Sequence, residues 1–158
     1  MSETPPFHMR PPMQGDIQFI LSSWLKSFRN SEFANYIPNK LYYEFHGSLV
    51  KNIIARSLVS ILCDVEDPEH VYGYVVYELL GDVFILHYIY IKYNFRNLGL
   101  CRTALKAVYP QFGNVESFIT HPDKVLSRIV NNEIKKTSFF IKKRDDYKLI
   151  YNPFALIR

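Results

Sequence analysis

The chain has 158 residues, 48% of them hydrophobic and 22% charged, with a formal net charge of +4. That is enough sequence to close one core, so a single domain over residues 1–158 is expected. There is no run of about 18 apolar residues, no apolar centre in the start "MSETPPFHMRPP", and no paired spacing around Cys63 and Cys101. These absences argue against a transmembrane helix, a secretory signal, a disulfide framework and a metal site, and favour a cytoplasmic protein with reduced thiols.

The elements follow in chain order. "MRPPMQGD" reads as a short strand and a turn, with Asp16 as the N-cap of the first helix. Ile17, Ile20, Leu21, Trp24, Leu25 and Phe28 then line one helical face. A second helix from Pro38-Asn39 to about Arg56 points Leu41, Tyr42, Phe45, Leu49 and Ile53 inward. Three strand-like runs come next: "LVSILCDV" (Leu58 to Val65), "VYGYVVYEL" (Val71 to Leu79) and "VFILHYIYI" (Val83 to Ile91). Gly81-Asp82 makes a hairpin turn between the last two. Those two runs are apolar throughout rather than alternating, as strands covered on both faces are. The 12 Tyr and 12 Phe suit such a β-rich core.

A third helix, from about Leu98, carries Leu100, Ala104, Leu105 and Val108 and must stop at Pro110. "ESFIT" is a short strand, "HPDKVLSRIVNN" a short helix with Pro122 in its first turn, and "TSFFIKK" and "YKLIYNPF" are closing strands around Asp145-Asp146. The fold class is therefore α/β: a mixed, mostly antiparallel sheet with helices on both faces. Lys135, Lys136, Lys142, Lys143, Arg144 and Lys148 against Asp145 and Asp146 make the closing strands basic. That face suits nucleic acid, coenzyme phosphates or an acidic partner, or is a solvated rim; no nucleic-acid motif accompanies it.

The junction "YIYIKYNFRNLGLCRTAL" carries the chemistry. At the start of a helix the first amides lack internal partners, and the helix dipole adds positive potential, so a pyrophosphate would find several N–H donors there. Arg96 could add charge, and Gly99 would allow close approach. Alternatively this is an ordinary strand-to-helix turn with solvated charges at Lys92 and Arg96.

Arg10-Pro11 with Asp16, the element order, and Arg96-Asn97-Leu98-Gly99-Leu100-Cys101 after the strand Ile89-Tyr90-Ile91 together resemble the GCN5-related N-acetyltransferase (GNAT) superfamily. The wording around the motif also resembles small GNAT-like proteins that phages carry. The resemblance implies a GNAT (acyl-CoA N-acyltransferase) fold that binds acetyl-CoA as co-substrate and transfers its acetyl group to an amine of a small molecule or protein. Ile89, Tyr90 and Ile91 would line the pantetheine arm. Arg96, Asn97, Leu98, Gly99, Leu100, Cys101 and Arg102 would bind the pyrophosphate. Cys101 departs from the Gly or Ala expected at that position.

The catalytic positions depart further. The place for a Glu base falls near Ile85, and no Asp or Glu occurs from Val83 to Ile91. His87, with a free pKa near 6.5, is the candidate base on that strand; it would share a face with Ile85 and Ile89. A structural histidine is the alternative. The Tyr acid expected after the fifth strand is missing, with Tyr90, Tyr88, Tyr147 or His121 as substitutes. Glu44, Glu66 and Glu78 could supply local negative charge. The competing expectation is a non-catalytic GNAT-fold protein that binds a host protein partner through aromatic surface.

Overall fold

The structure, a computed structural model, describes residues 4–31, 34–112, 115–122 and 148–151. Their core is a six-stranded sheet ordered β1-β2-β3-β4-β5-β6: β1 (His8–Arg10), β2 (Leu58–Cys63), β3 (Val71–Leu80), β4 (Val83–Ile91), β5 (Glu116–Ile119) and β6 (Lys148–Tyr151). The first three pairings are antiparallel and the last two parallel. The expected mixed, mostly antiparallel α/β sheet is thus the observed one. The helix "HPDKVLSRIVNN" beyond Pro122, the strand "TSFFIKK" and the basic turn at Asp145-Asp146 lie outside the described residues.

Helices cover both faces. On one side α1 (Gln14–Arg29) and α3 (Gly47–Arg56) pack Ile20, Trp24, Phe28, Val50 and Ile53 onto Ile61, Tyr74, Val76 and Tyr88. On the other, α4 (Leu100–Val108) packs Leu100, Ala104 and Leu105 onto Val75, Leu86, Ile89 and Ile91. β3 and β4, apolar throughout in sequence, are covered on both faces along almost their whole length. Leu80 pairs with Val83, so Gly81-Asp82 is the two-residue turn expected.

Two local readings need correction. Asp16 is not the N-cap of α1, which starts two residues earlier. It sits in the first turn, where its carboxylate accepts the Met13 backbone N–H (2.7 Å) and the Arg10 guanidinium (2.7 Å). The second helix is also not one regular helix. A short α2 (Asn39–Leu41) opens into a π-helical segment at Tyr42–His46 before α3 resumes. That wider turn holds Tyr42 and His46 under α1: the Tyr42 hydroxyl donates to the Leu25 carbonyl (2.5 Å), and His46 stacks on Phe28. Arg29 ties down the connection before it, donating to the carbonyls of Ala34 and Ile37 and to Asn39.

Candidate active site

The site starts from an irregularity in β4. Val76 pairs with Tyr88 but Tyr77 pairs with Leu86, so His87 is an extra residue, a β-bulge. An extra residue resets the alternation of side chains. Leu86 and Ile89 therefore both face α4, while Tyr88 and Tyr90 face α1. The expectation that His87 would share a face with Ile89 fails for this reason.

The bulge sits where β4 loses its other neighbour. β5 pairs with β4 only at Ile85 and Leu86, and the final link is the Thr120 N–H to the Leu86 carbonyl (3.2 Å). Beyond it, among the described residues, β4 has no β5 partner. The Lys92 N–H points to β3, bonding the Tyr72 carbonyl (2.8 Å). Alternation along the strand then turns the backbone N–H and C=O of Ile89 and Ile91 to the open side. Their side chains, by contrast, are buried in the α4-side core. If these residues line a ligand, they do so through backbone.

The open edge leads into the loop. A 3₁₀ turn at Tyr93–Phe95 is braced from beneath by Tyr72, which stacks on Phe95 at 4.3 Å. Asn97 (φ 64°) and Gly99 (φ 78°) adopt left-handed backbone, and α4 begins at Leu100 rather than at about Leu98. A Cβ on Gly99 would come within 2.8 Å of the Thr4 hydroxyl, so the position is crowded as well as left-handed. Leu100 is buried and anchors the helix start, Leu98 is half-buried, and Asn97 and Arg102 are exposed. Cys101 leans against the α4-side core. Arg96 does not point among the loop amides. Its Nε donates to the Ile91 carbonyl (2.7 Å), and its guanidinium lies over the rings of Tyr90 and Tyr93. Tyr90 is packed between Tyr74, Phe19 and Arg96.

His87 is wholly buried and bonded through both ring nitrogens. Nε2 lies 2.6 Å from Glu78 Oε2, and Nδ1 lies 2.9 Å from Thr120 Oγ1. Thr120 Oγ1 is also 2.9 Å from His121 Nδ1, and Arg56 approaches Glu78 at 3.7 Å. Glu78 and Thr120 are the residues that reading along β4 alone misses. Glu78 sits across the hairpin opposite Ile85, the position on β4 where the family resemblance places a Glu base. One signal was present in the sequence: a single carboxylate in an apolar strand needs a buried partner.

Next to this chain of bonds lies a cluster of rings. His121 is surrounded by Trp24, Phe28, His46 and Tyr88, with its ring centroid 5.1 Å from that of His46. Burial holds the His46 pKa down at about 4, and it is chiefly burial that holds that of His121 well below 6.5, with repulsion from His46 and His87 added whenever those rings are protonated. Both are neutral in the fold, while unfolded histidine takes up a proton near pH 6.5. Stability is therefore expected to be complete above pH 6.5 and to fall as the pH drops from there towards 4. His46→Phe, which preserves the stacking, is expected to flatten that slope in urea titrations across this window; an unchanged slope would contradict it.

No family model and no curated protein matches the sequence. Similarity appears among solved structures. YycN of Bacillus subtilis, described as an acetyltransferase, superposes with a TM-score of 0.62 at 11% identity, covering 88% of this chain and 98% of that one. A structure described as histone acetyltransferase HPA2 and related acetyltransferase, from Corynebacterium glutamicum, gives 0.54 at 16% identity and 83% of each chain. Ribosomal-protein-alanine N-acetyltransferase of Brucella melitensis gives 0.51 at 11% identity, covering 87% and 99%. The chain therefore shares the fold of these acetyltransferases.

Proposed function

We propose that this protein binds acetyl-CoA along the open edge of β4 and transfers the acetyl group to an amine. The observation that carries this reading is the fork at the His87 bulge. There β4 parts from β5, so that among the described residues no strand pairs with the backbone of Ile89 and Ile91 on that side, where only Arg96 reaches the Ile91 carbonyl, and the edge runs straight to the Gly99-led start of α4. An extended pantetheine arm pairs naturally with such an edge, as an added strand would. Its pyrophosphate would then reach the amides at the start of α4.

Acetyl transfer needs the attacking amine to lose a proton and the departing thiolate to gain one. His87 is a titratable group at the fork, oriented by Glu78. Because both of its ring nitrogens are already bonded, it exchanges protons through neighbours rather than by touching the amine. Tyr90, the other candidate, is held in an aromatic stack and is assigned to shaping the slot.

Calorimetric titration of acetyl-CoA into the purified protein tests this reading. Micromolar binding is expected, lost in Gly99→Glu and about tenfold weaker in Arg96→Ala, a difference of about 1.4 kcal/mol. Absence of heat at millimolar ligand would refute it. A second reading, a non-catalytic protein that docks on a partner, is favoured by one feature. Tyr36, Leu41, Tyr43 and Phe45 are all exposed around α2 and the π-helical segment. Failure of coenzyme binding with these residues required for partner capture would select it.

A further inference from the structure

The hydrogen bonds around His87 have a direction. Arg56 beside Glu78 favours the ionised carboxylate, and an ionised carboxylate can only accept. The 2.6 Å contact therefore places the proton of the His87 ring on Nε2. In the neutral ring Nδ1 is then a lone pair, so Thr120 donates its hydroxyl hydrogen to it. With that hydrogen committed, the Thr120 oxygen accepts from His121, whose proton must be on Nδ1. Each link leaves one arrangement for the next. The series ends on the lone pair of His121 Nε2.

The location of that end is informative. His121 directly follows the last backbone link between β4 and β5, so it stands at the mouth of the fork. Among the described residues, the rings facing it are Trp24 and Phe28 from α1, His46 from the π-helical segment and Tyr88 from β4; none of these carries a negative charge. An imidazolium would find no counter-ion among them. A proton arriving at His121 is better held further along, at the Glu78 carboxylate.

We propose that His121, Thr120, His87 and Glu78 form a reversible proton relay, with His121 Nε2 as its terminal acceptor and Glu78 as its store. This deepens the acyl-transfer reading and rests on it. A proton released by the attacking amine bonds to His121 Nε2, and the Nδ1 proton of that ring passes to the Thr120 oxygen. The Thr120 hydrogen passes to His87 Nδ1, and the His87 Nε2 proton passes to Glu78. When the thiolate of coenzyme A leaves, it takes the proton from His121 Nε2. Every link then runs backwards to its starting tautomer. One proton has moved from amine to sulfur, and neither ring has been left charged.

Nitrogen NMR of the full-length protein with isotope-labelled histidine reads the ring tautomers directly. At neutral pH, His87 is expected to carry its proton on Nε2 and His121 on Nδ1. As the pH is lowered and Glu78 takes up a proton, both rings are expected to invert at one common midpoint. In Thr120→Val only His87 should invert, and Thr120→Ser should restore the joint response. The same tautomer in both rings, separate midpoints in the wild type, or a joint inversion that survives Thr120→Val would overturn the relay. Should Thr120→Val fail to fold, the wild-type midpoints alone decide. Acetyl-CoA binding is measured on the same samples. Its absence would refute the coenzyme reading while leaving the tautomers to be judged separately.

Discussion

Glu78→Ala is expected to destabilise the protein by about 3–5 kcal/mol, the usual cost of removing one partner from a buried charged pair. Glu78 is almost fully buried, and the substitution takes the acceptor away from His87 Nε2 and the counter-charge away from Arg56. Water cannot easily replace it, because His87 has no exposed surface. Glu78→Gln is expected to cost less, about 1–3 kcal/mol, since its amide oxygen can still accept from His87 while the charge is lost. Urea midpoints of the two variants check the ranking. A loss below about 1 kcal/mol for Glu78→Ala would mean that the pair is solvated and the site is not the closed one described, because exposed pairs are worth no more than that.

Gly73→Ala is expected to do greater damage to the sheet. Gly73 lies in β3 opposite Ile91, and a methyl group there would press well inside contact distance of the Tyr90 carbonyl oxygen and 3.0 Å from Ile91 Cα. Both are backbone atoms of β4, so no flexible side chain can move aside. Relief requires the strands to separate at the end of β4 that borders the fork. A cost of at least about 3 kcal/mol is expected, at the upper end for overpacking, or failure to accumulate folded protein. Hydrogen exchange of the β4 amides from Tyr88 to Lys92 would report the separation directly. Wild-type stability with unchanged protection there would contradict the close approach.

Both positions show what the sequence discloses and what it conceals. The order of elements, the Gly81-Asp82 hairpin and the doubly covered β3 and β4 follow from apolar runs and turn residues, and the loop before α4 follows from Arg96 and Gly99. The bulge does not. Because β4 is buried on both faces, every residue around His87 is apolar, and alternation carries no information about which side each faces. A one-residue insertion in such a strand leaves no trace in composition. Glu78 was hidden for a related reason: its role depends on the register across the hairpin, and a search confined to β4 cannot see it. The π-helical segment keeps the apolar spacing of an ordinary helix, so Tyr42–His46 reads as α until the backbone is in hand. Asp16 shows the smaller error, in which a good capping residue is assigned to the cap when it serves from the first turn.

The bond from Arg96 to the Ile91 carbonyl sets the terms on which a guest would enter the slot. At that carbonyl the edge of β4 is already satisfied by the protein's own side chain, so a guest would exchange with Arg96 instead of filling a vacancy. An arm that ends without negative charge would gain one hydrogen bond and strand a guanidinium, with little net return. An arm that carries phosphates would offer the displaced guanidinium a new home within the same loop. Selectivity for the charged end of a ligand can thus be exercised at the uncharged middle of it.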